Sequence, residues 1–227
     1  MKSFFKILFL TIVIFGCDNQ KKNKSPQFVE KPDFIIPKDT SSLYYPLDSF
    51  SFVLDNSRSD SFLKAMYSEV LFNLHEPILY NYTGQYEVIR FLWMRPFDNP
   101  IVVRMNKIRK DVYINIKELG KKYYDDSESY TYVTKLDTTL VLNNEKWQDI
   151  TTSFTENNFW KVSTYEDFDN YKDFTCWVLE AKLENRYRCI NKLYTDTISL
   201  NKYVSAKKLF DIGNSVISMK NSRGLTN

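Results

Sequence analysis

His75 is the one histidine of the chain, so any serine or cysteine triad must pass its proton through that imidazole. It stands beside Glu76-Pro77 at the end of an apolar helical pattern, where an imidazole most simply meets terminal carbonyls. No Gly-x-Ser-x-Gly elbow occurs, and neither Cys176 nor Cys189 is near His75 in sequence. One histidine and two scattered thiols make a poor zinc set. Asp125-Asp126-Ser127-Glu128 offers oxygen ligands but lacks the spacing that wraps calcium, and it reads as a solvated acidic loop. The isolated glycines build no phosphate loop, and no cofactor is expected. Glycan hydrolysis needs only two carboxylates at the right separation. Glu180 is the acid to watch, since it stands mid-strand among apolar residues. Its plain reading is an outward or salt-bridged strand position. The candidate binding residues are Trp177, Glu180 and Tyr187.

Cys17 has the most specific setting of any residue. Lys2 and Lys6 supply a positive leader, and Ile7 to Phe15 is apolar apart from Thr11. Gly16-Cys17 then stands where a plain signal peptide would carry Ala-x-Ala. Ile14-Phe15-Gly16-Cys17 looks like a bacterial lipobox. That implies a diacylglyceryl group on Cys17, palmitate among its chains, and Cys17 as the first mature residue. The run is too short to span a bilayer and ends in Asp18-Asn19-Gln20-Lys21-Lys22. Several acyl chains on one residue anchor stably where one would not. The expected partner is therefore a membrane, reached through the lipid on Cys17. The expected location is the bacterial cell envelope, inner or outer membrane, with the domain in the periplasm.

A chain from Cys17 to Asn227 suits one domain, or two small ones at most. Without Lys2 and Lys6 the formal net charge of +3 falls to +1. Such a balance argues against nucleic acid, which leaves a strongly basic footprint. Aromatic residues make up 16% of the chain. Tyr and Phe suit half-buried strands, so a β-rich core is the simple reading. An aromatic surface for sugars or peptides is the sharper one.

Three helices are expected to position these groups. The first follows Ser59-Asp60, carries Phe62, Leu63, Met66, Tyr67, Val70, Leu71 and Leu74 at helical spacing, and stops at Pro77. The second follows Asn143-Asn144 with Trp147, Ile150 and Phe154 on one face. The third begins near Lys202 with Ala206, Leu209, Phe210, Gly213, Val216 and Ile217 as its stripe. Strands are expected at Glu87 to Arg95, Ile101 to Asn106, Val112 to Lys117 and Thr131 to Leu142, with a hairpin of Thr175 to Leu183 and Arg186 to Leu193. Runs of strands with separate helices predict an α+β fold, a mainly antiparallel sheet of about six strands packed with three helices. Residues 1–16 read as a signal peptide, 17–45 as a polar Lys/Pro-bearing tether, and 46–222 as a single domain.

The hairpin also settles the thiols. A turn at Glu184-Asn185 sets Cys189 opposite Glu180 and Cys176 opposite Leu193. The sulfurs then share a face but lie four residues apart, roughly 13 Å along the strand. A disulfide needs Cα atoms within about 7 Å. Free thiols are expected even in an oxidising compartment. The same register puts Trp177, Leu179 and Ile190 on one buried face, which should pack on the third helix.

Asp173-Phe174-Thr175-Cys176-Trp177-Val178-Leu179-Glu180, with Tyr187 on the next strand and Phe159-Trp160 before it, resembles a hairpin of small exported lipoproteins of Bacteroidota. Their pattern is roughly Asp-Gly-x-x-Trp-x-Leu-Glu, and this chain carries Phe174 at the glycine. The resemblance covers the last third of the chain. It implies a fold element and an envelope setting rather than a reaction. An anchor plus a packed domain without an assembled site points to a non-enzymatic binding module with an envelope protein or glycan partner. The alternatives are a carboxylate-dependent glycan hydrolase and an inhibitor or immunity-type lipoprotein.

Overall fold

The structure, a computed structural model, describes residues 34, 36–46, 51–52, 57–95, 97–124, 129–162, 165–166, 175–194 and 203–222. Cys17, the acidic run 125–128 and Asp173-Phe174 lie outside these residues.

In chain order the elements are β1 (Ser51–Phe52), α1 (Ser57–Asn73), β2 (Glu87–Met94), β3 (Ile101–Ile108), β4 (Asp111–Tyr123), β5 (Tyr130–Leu142), α2 (Asn144–Glu156), a 3-10 turn (Phe159–Lys161), β6 (Tyr165–Glu166), β7 (Thr175–Leu183), β8 (Arg186–Tyr194) and α3 (Val204–Ser222). Six of the strands form one antiparallel sheet in the order β5-β4-β3-β2-β7-β8. This is the α+β fold that the strand and helix patterns predict. The last hairpin keeps the expected register, with Leu179 opposite Ile190, Glu180 opposite Cys189 and Cys176 opposite Leu193. Its turn is Glu184-Asn185, with Glu184 at a φ of 54°. Cys176 and Cys189 are free thiols, both buried.

Helices cover both faces of the sheet, so its central strands are buried on both sides. On one face Ile89, Phe91, Val103, Ile114, Trp177, Leu179 and Ile190 meet α2 and α3 through Trp147, Ile150, Phe154, Ala206, Leu209 and Ile217. Asn143 caps α2, its side chain accepting from the Lys146 N–H at 3.0 Å, which removes one orphan donor. The Ser153 and Ser205 hydroxyls join the two helices at 2.7 Å. α3 lies so close to β3 that a Cβ on Gly213 would sit 2.7 Å from Val103 Cγ2. A side chain there would push the helix off its apolar partner.

The other face carries Leu92, Val102, Leu119, Cys176, Val178 and Cys189 against Tyr67, Val70, Leu71 and Leu74 of α1 and its end. That helix ends in a Schellman turn. His75 takes the left-handed position at φ 53°, its N–H donates to the Phe72 carbonyl, and the Glu76 N–H donates to the Leu71 carbonyl. The turn delivers Glu76 beneath the helix end and onto the sheet.

Three local expectations change. Residues up to 45 read as tether, yet Tyr44 and Tyr45 are 0% and 1% exposed. The Tyr44 N–H donates to Ser68 Oγ at 3.0 Å and its hydroxyl to the Glu76 carbonyl at 2.8 Å. Burying two tyrosines outweighs the polar average of the segment around them. β4 runs to Tyr123 rather than ending near Lys117, because a bulge between Glu118 and Leu119 lets pairing with β5 continue. The two-residue parallel pair of β1 and β6 is too short to leave a periodic signal.

Candidate functional site

Two polar assemblies occupy the α1 face, one sealed and one open. The sealed one is built by register. Arg90 in β2 pairs with Arg104 of β3 on one side and with Glu180 of β7 on the other. Arg90 Nε and Nη2 both lie 2.6 Å from Glu180 Oε2, and Arg90 Nη1 donates to the Pro77 carbonyl at 2.6 Å. The Tyr187 hydroxyl donates to Glu180 Oε1 at 2.9 Å. Glu76 receives Arg104 Nε at 2.8 Å, Lys117 Nζ at 3.0 Å and, more loosely, Arg90 at 3.8 Å. Lys117 also donates to the Leu74 carbonyl at 2.7 Å, which satisfies the end of α1. Phe34 lies against the Arg104 guanidinium at 5.2 Å and Tyr44 against that of Arg90 at 5.6 Å.

Neither carboxylate is exposed, but they titrate in opposite directions. Burial alone would raise Glu76, and the combined pull of Arg104, Lys117 and Arg90 overcomes it, so its acid is held below the ordinary range. At Glu180 burial wins over Arg90 and the Tyr187 hydroxyl, and its acid is held above that range. Charges packed this way fix the seat of α1 on the sheet, and their carboxylates are closed to substrate.

Of the candidate residues, the structure brings Glu180 and Tyr187 together and sets Trp177 apart. Trp177 points to the opposite face, where it packs on Phe91 and Tyr203. Glu180 takes the salt-bridged position. Tyr187 is partly exposed, with its ring edge on Tyr80. His75 is exposed, and its Nδ1 lies 3.3 Å from the Asn73 carbonyl, as a helix-end imidazole does. Both thiols are too buried to act as nucleophiles. Burial pushes Cys176 up to about 11, against the lowering effect of the Tyr67 hydroxyl 2.8 Å away, and burial also raises Cys189. Among the described residues no three metal-ligating side chains gather.

The open assembly is a cleft of about 400 Å³ between α1, the β2–β3 loop and the ends of β4 and β5. Met66, Val70, Met94 and Leu119 line it below, Phe97, Tyr123 and Tyr132 are its aromatic walls, and Glu69, Arg95, Asp98, Asn99 and Lys121 add polar groups. Arg95 ties the described loop residues together. Its Nε donates to the Asn99 carbonyl at 2.8 Å, its fork reaches Asp98 and Glu118 at 3.6 Å, and it stacks on Trp93 at 5.0 Å. Asn99 Nδ2 donates to Glu118 Oε1 at 3.0 Å, and the Leu119 N–H to the Pro100 carbonyl at 3.0 Å. The pinned loop holds Phe97 out at 85% exposure. Across the cleft, Tyr123 packs on Tyr130 at 5.7 Å and Tyr130 on Tyr132 at 5.3 Å, with Lys121 Nζ 4.0 Å from the Tyr130 ring centroid.

The chain matches no family model and no curated protein sequence.

Sequence reading passed over this cleft because its aromatic residues are distant along the chain and lie in no motif. The only trace was the aromatic excess. Pairing of Lys121 with Tyr132 and of Tyr123 with Tyr130 gathers the tyrosines, and the Arg95 fork sets Phe97 opposite them. The arrangement offers stacking surfaces and a mixed polar rim, and so it is equipped to bind.

Proposed function

We propose that this chain is a lipid-anchored binding module of the bacterial cell envelope, tethered through Cys17, with the aromatic cleft as its binding surface. The exposed Phe97 carries the reading. A phenylalanine held in water by a braced loop forgoes about 1.5–3 kcal/mol of burial, a cost that contact with a ligand recovers. The charge cluster supports the same reading by exclusion. Glu76 and Glu180 are committed to Arg90, Arg104 and Lys117 and closed to water, so the hydrolase alternative loses the acid that sequence singled out. The anchor rests on Lys2, Lys6, the apolar run and Gly16-Cys17. Among the described residues no helix is long and apolar enough to cross a membrane.

Two experiments test the two halves. Cys17→Ser protein should lose palmitate labelling and detergent-phase partitioning; unchanged labelling refutes the anchor. A photo-crosslinking amino acid placed at Phe97 in cells should form an adduct that Tyr123→Ala abolishes, while one at the exposed Glu156 of α2 should not form it. The same adducts at both positions, or none at Phe97, refute the binding surface.

A further inference from the structure

We infer that the cleft takes a neutral saccharide chain. The inference rests on the cleft being the binding surface and deepens that reading. Phe97 is 85% exposed and Tyr123 61%, and both line the cleft. Such rings offer flat apolar faces to the C–H faces of sugar rings, and Tyr123 adds a hydroxyl for polar contact. Met66 and Met94 beneath them are soft and unbranched, which suits the uneven outline of a pyranose.

The polar rim matches sugar hydroxyls rather than charges. A hydroxyl both donates and accepts, and the rim supplies both roles, with acceptors on Glu69 and Asp98 and donors on the Lys121 ammonium and the Tyr123 hydroxyl. Its cations, Arg95 and Lys121, are balanced by those two acids, and Arg95 is already engaged with Asp98 and Glu118. Lys121 lies over the tyrosines, within 6.0 Å of the Tyr132 ring centroid. No surplus positive field remains to select phosphate or an acidic polymer.

An extended peptide fits less well. A strand-forming peptide gains affinity by adding to a sheet edge, whereas this cleft is walled by side chains of a sheet face, a helix and a loop. A peptide laid in it would bury backbone amides without a ladder to pair them. The volume of about 400 Å³ lies in the range of small-ligand sites, about 300–1,000 Å³.

The test uses the full chain in detergent and four neutral hexasaccharides: β-1,4-linked glucose, β-1,4-linked N-acetylglucosamine, α-1,4-linked glucose and β-1,4-linked mannose. Isothermal titration should show saturable binding of at least one of them. Tyr123→Ala and Phe97→Ala should each weaken it about tenfold, the size of one lost stacking contact. Glu156→Ala should leave it unchanged, and a heparin hexasaccharide should not bind. If no neutral hexasaccharide binds at millimolar concentration while the Phe97 cross-link persists, the saccharide class is wrong and the binding surface stands. If heparin binds more tightly than the neutral chains, the charge argument is wrong. If the cross-link also fails, the fault lies in the binding surface itself.

Discussion

Arg90 of β2 lies directly across the sheet from Glu180 of β7, and its Nε and Nη2 both lie 2.6 Å from one carboxylate oxygen, Oε2, with neither side chain more than 1% exposed. The pair holds a central strand contact and, through Glu76 and Pro77, the end of α1. Removing one partner leaves the other charged and dry. Arg90→Ala and Glu180→Ala should each cost about 3–5 kcal/mol in denaturant unfolding. The double variant should cost clearly less than the sum, because the groups share one interaction. Additive losses would show that the pair is not coupled.

The two buried acids should give opposite pH signatures. Glu76 is held below its ordinary value of 4.5. Its contribution is therefore full above that value and is lost as pH falls through the lower, folded one. Glu180 is held above 4.5. Its contribution is full below that value and is lost as pH rises through the raised one. The stability gap between wild type and Glu76→Gln should shrink in acid, and the gap between wild type and Glu180→Gln should widen. Urea unfolding between pH 3 and pH 7 checks this, and gaps that move in the same direction would contradict the assignment.

Cys176 and Cys189 should be silent in the native domain. Both are buried and their thiols are raised, Cys176 to about 11. Thiol titration at pH 8 should find neither in the folded state and both after denaturation without reductant. Rapid native labelling would show that the α1 face opens readily.

Trp177 is 1% exposed and meets Phe91 and Tyr203 at ring separations of 6.0 and 5.1 Å. Trp177→Ala should cost about 3–5 kcal/mol, as other large-to-small core changes do. A loss below about 1 kcal/mol would mean that the α3 face repacks freely.

The sequence by itself determined the three helices, the six main strands, the register of the last hairpin and the free state of its thiols. Alternation, caps and breakers act within a few residues, so Asn143 starts α2, Pro77 bars continuation of α1, and Glu184-Asn185 places Cys189 opposite Glu180. The covered face of Trp177, Leu179 and Ile190 was legible for the same reason. Only the tertiary structure decided what the polar residues do. Arg90, Arg104 and Lys117 stand on three strands, and nothing local says that they converge on Glu76. That convergence depends on strand order and on the left-handed His75, which turns the chain under the helix end. Tyr44 and Tyr45 look like tether until α1 and the sheet provide a surface that buries them. Phe97 and Tyr123 face one cleft because a bulge carries β4 past Glu118 and an arginine fork ties Asp98 and Asn99 to Glu118. Long-range pairing brings these groups together, and no window along the chain contains it.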